Sequence, residues 1–218
     1  MATSANERAV GSIPPIAGPA LTAPERFWNL PNTITVVRTA VVPVLLILPL
    51  AEGPFGSQII AWLFIVAALT DILDGWLARR GQQVTHVGKL LDPLADKLLV
   101  STALIVMLAM ARIPLWATPM VVVIVGRELA VTGLRGLASA GGQVMSASWL
   151  GKTKAVTQNV AVGALLFHYT TFGLPAHEIG LTMLGVATLL TIISGYVYFA
   201  EYFRGLRRAG DARRSPEP

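Results

Sequence analysis

The fold is decided by one charged stretch, which reads Asp71-Ile-Leu-Asp74-Gly-Trp-Leu-Ala-Arg79 and, eight residues later, Gly88-Lys-Leu-Leu-Asp92-Pro-Leu-Ala-Asp96. It places four carboxylates between segments that are too apolar for a soluble protein. A carboxylate inside a bilayer is costly unless it has a partner or a task. Four converging carboxylates have an evident partner in a pair of hard divalent cations, which prefer oxygen ligands.

The spacing of the aspartates supports a metal site. Asp71 and Asp74 are three residues apart, and Asp92 and Asp96 are four apart, so a helix would carry each pair on one face. Two carboxylates alone would repel each other and one would take up a proton. Two pairs facing two ions avoid this, and oxygen-only ligands favour Mg²⁺ or Mn²⁺ over zinc. Taken singly, an aspartate has local alternatives, such as a helix N-cap before Pro93.

Composition indicates a polytopic membrane protein. The chain has 218 residues, of which 13% are charged, and its mean hydropathy is +0.62. A soluble domain usually carries about 25% charged residues. The chain has no cysteine, which excludes disulfides and thiolate metal sites but does not fix the compartment. We interpret the net charge of +5 through loop asymmetry and expect no nucleic-acid partner.

We predict an all-α integral membrane fold with six transmembrane helices, at about 33–51, 57–79, 88–111, 114–138, 152–173 and 179–203, because each stretch is long and apolar enough to span. Gly- and Pro-containing breaks separate them, at 52–56, 80–83, 113–114, 141–143 and 173–175. Residues 1–24 lack an apolar core and are predicted as a disordered tail without a secretory signal. The six-helix domain would cover 25–203, and a basic tail 204–218.

Lys and Arg residues predict the orientation. They gather near 79–89, near 135–154 and in the tail after 203, whereas the alternate loops hold only Arg112. The positive-inside rule therefore puts both termini and the aspartate stretch in the cytoplasm.

Small residues follow the first aspartate pair. Gly75 and Ala78 would let a flat group approach the helix, although small residues are also common where membrane helices pack together. Arg79 would bind a phosphate or serve only as a cytoplasmic-side charge.

The pattern D-x2-D-G-x2-A-R-x8-G-x3-D-x3-D, filled from Asp71 to Asp96, resembles the signature of the CDP-alcohol phosphatidyltransferases. This resemblance implies six transmembrane helices, a homodimer in a bacterial plasma membrane, and a cytoplasm-facing site with two Mg²⁺ or Mn²⁺ ions. In the implied reaction, an alcohol attacks the β-phosphorus of a lipid-linked CDP, usually CDP-diacylglycerol, and CMP leaves. The metal ligands would be Asp71, Asp74, Asp92 and Asp96, with Asp96 also the general base.

The same resemblance implies a CDP-diacylglycerol site. Its residues would be Gly75, Ala78, Arg79, Thr85, Pro31, Asn32, Thr33, Thr35 and Arg38. Helix capping by Asn32 or Thr33 is the alternative for the segment before the first span. Arg38 would reach the lipid's phosphates or extend to the interface.

The second half of the chain concerns the acceptor. The segment Arg127-Glu-Leu, an arginine at 135, and the run Trp149-Leu-Gly-Lys152-Thr-Lys154-Ala-Val-Thr-Gln158 resemble the bacterial phosphatidylglycerophosphate synthases, and the resemblance covers about 29–203. The acceptor would then be sn-glycerol 3-phosphate, with its phosphate held by Arg127, Arg135, Lys152 and Lys154. The alternatives are a buried ion pair of Arg127 with a carboxylate, either Glu128 or an aspartate, and membrane topology or lipid headgroups for the lysines.

Three rival functions stay open. A phosphatidylinositol phosphate synthase shares the aspartate motif, but the R-E-L and W-x-G-K-x-K segments argue against it. A cardiolipin synthase of the same fold would take phosphatidylglycerol and needs fewer cations. A divalent-cation transporter would also use intramembrane carboxylates, yet a cation path has no use for the neighbouring arginines.

Overall fold

The structure is a computed structural model that describes residues 30–81, 86–140 and 149–214, and their side chains except those of 30–32, 34, 71–93, 140 and 208–214. Within these residues the chain forms six α-helices and no strand, with short 3-10 helices at Leu48–Leu50 and Leu115–Ala117. The α-helices are α1 Leu30–Leu45, α2 Pro54–Gly81, α3 His86–Ala109, α4 Thr118–Ala140, α5 Trp149–Phe167 and α6 Ala176–Arg214. The all-α prediction is confirmed.

Each predicted span corresponds to one helix, and the largest differences lie at three C-terminal ends: α1 ends at Leu45 and not at 51, α5 at Phe167 and not at 173, and α6 at Arg214 and not at 203. Helix α6 continues past residue 203 to Arg214, because Ala, Leu and Arg favour a helix whether or not it is apolar. Helix α1 begins at Leu30, so Pro31 lies in the first turn, where proline is tolerated. Helix α5 ends at Phe167, because the chain then turns through His168 and Gly173, both with positive φ.

The predicted breaks lie where the described helices end. Gly53 has a φ of +124°, which a residue with a side chain rarely adopts, and Pro54 then begins α2. Pro114 is extended, with φ −66° and ψ 151°, and separates α3 from α4. The breaks at 80–83 and 141–143 coincide with the ends of α2 and α4, and residues 82–85 and 141–148 lie outside the described part.

The helices pack around one apolar core. Helix α5 lies along α6, α1 along α3 and α4 along α6, while α2 contacts both α5 and α1. Gly180 sets the α5–α6 approach, because a Cβ there would lie 2.9 Å from the backbone nitrogen of Leu165. The core contains Leu45, Ile60, Phe64, Leu99, Leu104, Met107, Ile124, Leu165, Leu166 and Leu184.

The outer surface is strongly apolar. Large exposed side chains include Val37, Leu46, Trp62, Leu69, Leu129, Leu137, Leu189, Ile192 and Tyr196. Soluble monomers rarely expose such extensive apolar surface. Within the described residues, the helices at Leu115–Ser139 and Ala176–Arg207 are long and apolar enough to cross a membrane, and shorter apolar helices lie at Thr35–Leu45 and Pro54–Thr70. These features suggest a membrane protein.

Arg112 ties three elements together at one end of the bundle. It is 4% exposed, and it donates hydrogen bonds to the carbonyl of Leu166 (2.9 Å) and to Ser57 Oγ (2.7 Å). Burial lowers the pKa of its guanidinium, and the nearby carboxylate of Glu52 acts in the opposite direction. A cation at the end of α5 also complements the helix dipole. The single basic residue of the predicted outer loops therefore has a structural role.

Candidate active site

Both aspartate pairs lie on helices. Asp71 and Asp74 belong to α2, and Asp92 and Asp96 belong to α3, at the helical spacings of three and four residues on which the prediction rests. Asp96 is partly buried and takes part in a polar interaction. The structure describes only the backbone at six other predicted site residues, which are Asp71, Asp74, Gly75, Ala78, Arg79 and Asp92. Thr85 lies outside the described residues altogether.

The donor chemistry at this end fits a divalent metal. The four predicted ligands are carboxylates, two on α2 and two on α3, and carboxylate oxygens are the ligand type that Mg²⁺ and Mn²⁺ prefer. The described side chains contain no group of three or more potential ligands, since three of the four aspartates lie outside them. The four-aspartate metal site therefore stays a prediction.

Glu128 is the centre of an ion-pair cluster that joins three helices. Its Oε2 lies 3.2 Å from Lys97 Nζ of α3, and its Oε1 lies 3.0 Å from Arg127 Nη1 of α4 and pairs with Lys154 Nζ of α5. The side chains are 21% (Lys97), 13% (Arg127), 3% (Lys154) and 12% (Glu128) exposed. Three mostly buried cations share one carboxylate, so the cluster carries excess positive charge.

A small cavity is shared by this cluster and Asp96. It has a volume of about 30 Å³, and its walls include Asp96, Lys97, Glu128, Lys154, Gln158 and Asn159. The buried Oε1 of Gln158 has no hydrogen-bond partner among the described residues. The cavity thus brings a predicted metal ligand and two cations around one space.

An apolar groove lies beside the cavity, between α2 and α5. Its volume is about 440 Å³, and Phe64, Ile65, Val160 and Phe167 line it. Asn159 lines both the groove and the cavity. A molecule with a polar head and an apolar chain would therefore find both environments side by side.

Helix α6 fixes Arg127. Its Nη2 donates to Ser194 Oγ at 3.0 Å, and its guanidinium lies 5.4 Å from the centre of the Tyr198 ring, within range of a cation–π interaction. A Cβ at Gly195 would come within 3.2 Å of Arg127 Cγ, so the close fit depends on glycine. Arg127 is thus held both by Glu128 and by α6.

The structure divides the four predicted acceptor residues. Arg127 and Lys154 meet at Glu128, and the alternative of a buried Arg127–Glu128 pair is present as well. Arg135 and Lys152 are exposed. Sequence reasoning missed Lys97 and the central place of Glu128. A glutamate inside an apolar span was the available signal for the second.

Helix α1 directs Arg38 at the aspartate-bearing helix. Arg38 and Thr35 are each 1% exposed, and Arg38 Nε donates to the carbonyl of Ala67 at 3.3 Å, one turn before Asp71. Arg38 therefore does not extend to the interface. Thr33 is exposed, and the side chains of Pro31 and Asn32 lie outside the described part.

Comparison with known proteins gives the family. A family model described as CDP-alcohol phosphatidyltransferase matches residues 28–194. The chain belongs to the CDP-alcohol phosphatidyltransferase family. Members of this family transfer a group from a CDP-alcohol to an alcohol acceptor and use a divalent metal.

Relatives of known sequence match most of the chain. The CDP-diacylglycerol–glycerol-3-phosphate 3-phosphatidyltransferase of Bacillus subtilis is 42% identical over 193 residues, which are 83% of this chain and 98% of the relative. A probable phosphatidylglycerophosphate synthase of Mycobacterium tuberculosis is 40% identical, over 87% of this chain and 88% of its own. The Haemophilus influenzae transferase with the same name as the Bacillus relative is 34% identical, over 78% and 91%.

Proposed function

We propose that this enzyme transfers the phosphatidyl group of CDP-diacylglycerol to sn-glycerol 3-phosphate, giving phosphatidylglycerophosphate and CMP. The observation that carries the proposal is the cavity that Asp96 shares with Lys97 and Lys154. An acceptor that bears a phosphate needs such cations beside the reacting groups. The names of the similar proteins from Bacillus subtilis and Haemophilus influenzae describe the same reaction.

In this mechanism the protein mainly positions its substrates. The cationic cluster holds the acceptor's phosphate, so that the acceptor hydroxyl points at the β-phosphorus of the nucleotide lipid. Asp96 accepts the hydroxyl proton as the new oxygen–phosphorus bond forms and the bond to CMP breaks. Divalent metal bound by Asp71, Asp74, Asp92 and Asp96 would neutralise the diphosphate charge.

The CDP-diacylglycerol site would lie between α1 and α2. We assign it to Gly75, Ala78, Arg79 and Thr85 together with Pro31, Asn32, Thr33, Thr35 and Arg38. The direction of Arg38 toward α2 supports this assignment, because it places a cation near the aspartate turn. The apolar groove between α2 and α5 suits an acyl chain of the same lipid.

We also propose that the six helices span the membrane as one domain over 25–203, that both termini are cytoplasmic, that the enzyme is a homodimer, and that it uses two Mg²⁺ or Mn²⁺ ions. Helices α2 and α3 support the first point, because their 28 and 24 residues would extend about 42 and 36 Å, against a hydrocarbon core of about 30 Å. The distribution of Lys and Arg supports the orientation. The exposed apolar side chains would supply a surface on which a second copy of the chain could pack.

Labelling of introduced cysteines tests the orientation, since the chain has no natural cysteine. We expect Phe172→Cys to react with an impermeant thiol reagent in intact cells, and Gln82→Cys to react only after permeabilisation. The reverse pattern would contradict a cytoplasmic active site.

Release of CMP tests the function. Purified protein is incubated with CDP-diacylglycerol, Mg²⁺ and one acceptor, which is sn-glycerol 3-phosphate, inositol phosphate or phosphatidylglycerol. We expect release with sn-glycerol 3-phosphate alone. Release only with inositol phosphate, or only with phosphatidylglycerol, would replace the proposed acceptor by one of the two rival lipids. No release with any acceptor would exclude the transferase reaction.

A further inference from the structure

We propose that Glu128 is a positioning residue that holds Lys97 and Lys154 at the wall of the cavity that Asp96 also lines, and that these two ammonium groups form the subsite for the acceptor's phosphate. This inference rests on the proposed function and deepens it. It adds Lys97 to the acceptor site and gives Glu128 a role other than that of a simple ion-pair partner.

The geometry of the carboxylate carries the first step. Its two oxygens are divided, with Oε2 near Lys97 (3.2 Å) and Oε1 bonded to Lys154. A lysine has a flexible four-carbon stem and a compact charge, so its ammonium group stays in one place only when a fixed partner holds it. Glu128 therefore fixes the separation of two cations that come from different helices.

The charge balance carries the second step. Three cations, Lys97, Arg127 and Lys154, meet at one carboxylate, and when the Asp96 carboxylate that lines the same cavity is counted, positive charges still outnumber negative ones by three to two. Buried cations in excess need an anion. A phosphate monoester, with about −1.5 to −2 charges near neutral pH, supplies one.

The donors of the cluster are not equivalent. Arg127 gives one nitrogen to Glu128 and another to Ser194, and its guanidinium faces Tyr198; its buried Nε has no partner among the described residues, but Arg127 does not line the cavity. Each lysine ammonium has three N–H donors and uses one on Glu128. The lysines are thus the groups that would bind the phosphate, and Arg127 steadies Glu128.

The cavity adds an independent observation. At about 30 Å³ it holds roughly one water molecule, so the phosphate would dock at its mouth, where Lys97 is 21% exposed. Gln158 is 4% exposed, and its Oε1 is buried with no hydrogen-bond partner among the described residues. A buried carbonyl of this kind requires a donor, and a hydroxyl of a polyol phosphate would supply one.

Steady-state kinetics test the inference with two variants. Lys97→Met keeps the chain length without the charge, and Glu128→Gln keeps the shape without the charge. In each we expect the KM for sn-glycerol 3-phosphate to rise at least tenfold, the KM for CDP-diacylglycerol to stay within twofold, and kcat to fall less than the acceptor's KM rises. Glu128→Asp, which keeps the charge, should have an acceptor KM between those of Glu128→Gln and the wild type. A purely structural role would not raise the acceptor's KM selectively over the KM for CDP-diacylglycerol. Arg207→Met, an exposed cation on α6, is the matched control and should behave as wild type.

An unchanged KM for the acceptor in Lys97→Met would overturn the subsite, even if Glu128→Gln fails to fold. A lower acceptor KM in Glu128→Gln would mean that Glu128 competes with the phosphate, and it would overturn the positioning role.

A binding measurement separates this inference from the proposed function. We expect inorganic phosphate to raise the thermal unfolding midpoint of the wild type and of Arg207→Met, but not that of Lys97→Met. If the wild type uses inositol phosphate and not sn-glycerol 3-phosphate, the proposed function fails while this result still decides the subsite. If sn-glycerol 3-phosphate is turned over but Lys97→Met keeps the phosphate effect and a normal KM, the inference fails and the function stands.

Discussion

Two arginines that are largely shielded from solvent, Arg112 and Arg127, lie in different settings in this bundle. Arg112 gives its bonds to the Leu166 carbonyl and to Ser57, both of which belong to the fold. Arg127 shares the Glu128 carboxylate with two lysines next to a cavity. Burial is common to both, so burial of a charge does not identify an active site. The two arginines differ because Arg127 belongs to a cluster in which cations outnumber carboxylates and which borders a cavity. Such a cluster needs an added anion.

The largest effect should come from the cavity side, at Asp96. Asp96→Asn removes the proposed base and a predicted metal ligand, so turnover should fall roughly 10²- to 10⁴-fold, the usual contribution of a general base. CMP release per mole of folded protein measures this, with helix content by circular dichroism as the control for folding. Rates near wild type would refute the assigned base.

Arg112 should affect stability and not catalysis. Arg112→Met leaves the Leu166 carbonyl and Ser57 without their charged donor, so unfolding should become easier by about 2–4 kcal/mol. Thermal unfolding in detergent measures the loss. At temperatures where the variant stays folded, the KM values for both substrates should match those of the wild type. A selective rise in the acceptor's KM would show that Arg112, like Arg127, affects acceptor binding.

The two lysines of α5 offer a sharper contrast, because Lys154 is buried and Lys152 is exposed on the same helix. We expect Lys154→Met to raise the KM for sn-glycerol 3-phosphate about tenfold, a loss of about 1.4 kcal/mol. Lys152→Met should raise it less than threefold, because water screens an exposed charge. Equal effects would show that exposed and buried cations contribute alike to acceptor binding.

The smallest effect should arise where α6 steadies Arg127. Ser194→Ala removes one hydrogen bond to Nη2, which contributes about 1 kcal/mol, so the acceptor's KM should rise about three- to fivefold. Thr182→Val, which removes a hydroxyl bonded within α6, is the control. If the acceptor's KM is no higher in Ser194→Ala than in Thr182→Val, the hydrogen bond between Ser194 and Arg127 does not affect acceptor binding.

The sequence predicted the helices well, because apolar length and Gly or Pro breaks are local signals. Gly53 and Pro114 mark breaks that depend on their own backbone preferences. The extension of α6 to Arg214 was not predicted, since charge alone suggested that the helix ended with the apolar span. A helix can continue into solvent where its residues favour helical geometry.

The candidate site was predicted only in part. The aspartate spacing was readable from the residues, and the family resemblance named Arg127 and Lys154 as acceptor candidates together with Arg135 and Lys152. The convergence of Lys97 and Lys154 on Glu128 depends on how α3, α4 and α5 pack. In helices that are apolar on most sides, hydrophobic periodicity does not mark the face that turns inward. Buried Lys154 and exposed Lys152 therefore looked equivalent in the sequence.

The most direct test follows label from the acceptor into lipid. Wild-type enzyme and Asp96→Asn are incubated with CDP-diacylglycerol, Mg²⁺ and ¹³C-labelled sn-glycerol 3-phosphate, and the lipid fraction is analysed by mass spectrometry. We predict labelled phosphatidylglycerophosphate in equal amount to the CMP released by the wild type, and almost none from the variant. CMP release without label in the lipid, or equal labelling by both proteins, would contradict phosphatidyl transfer at the Asp96 cavity.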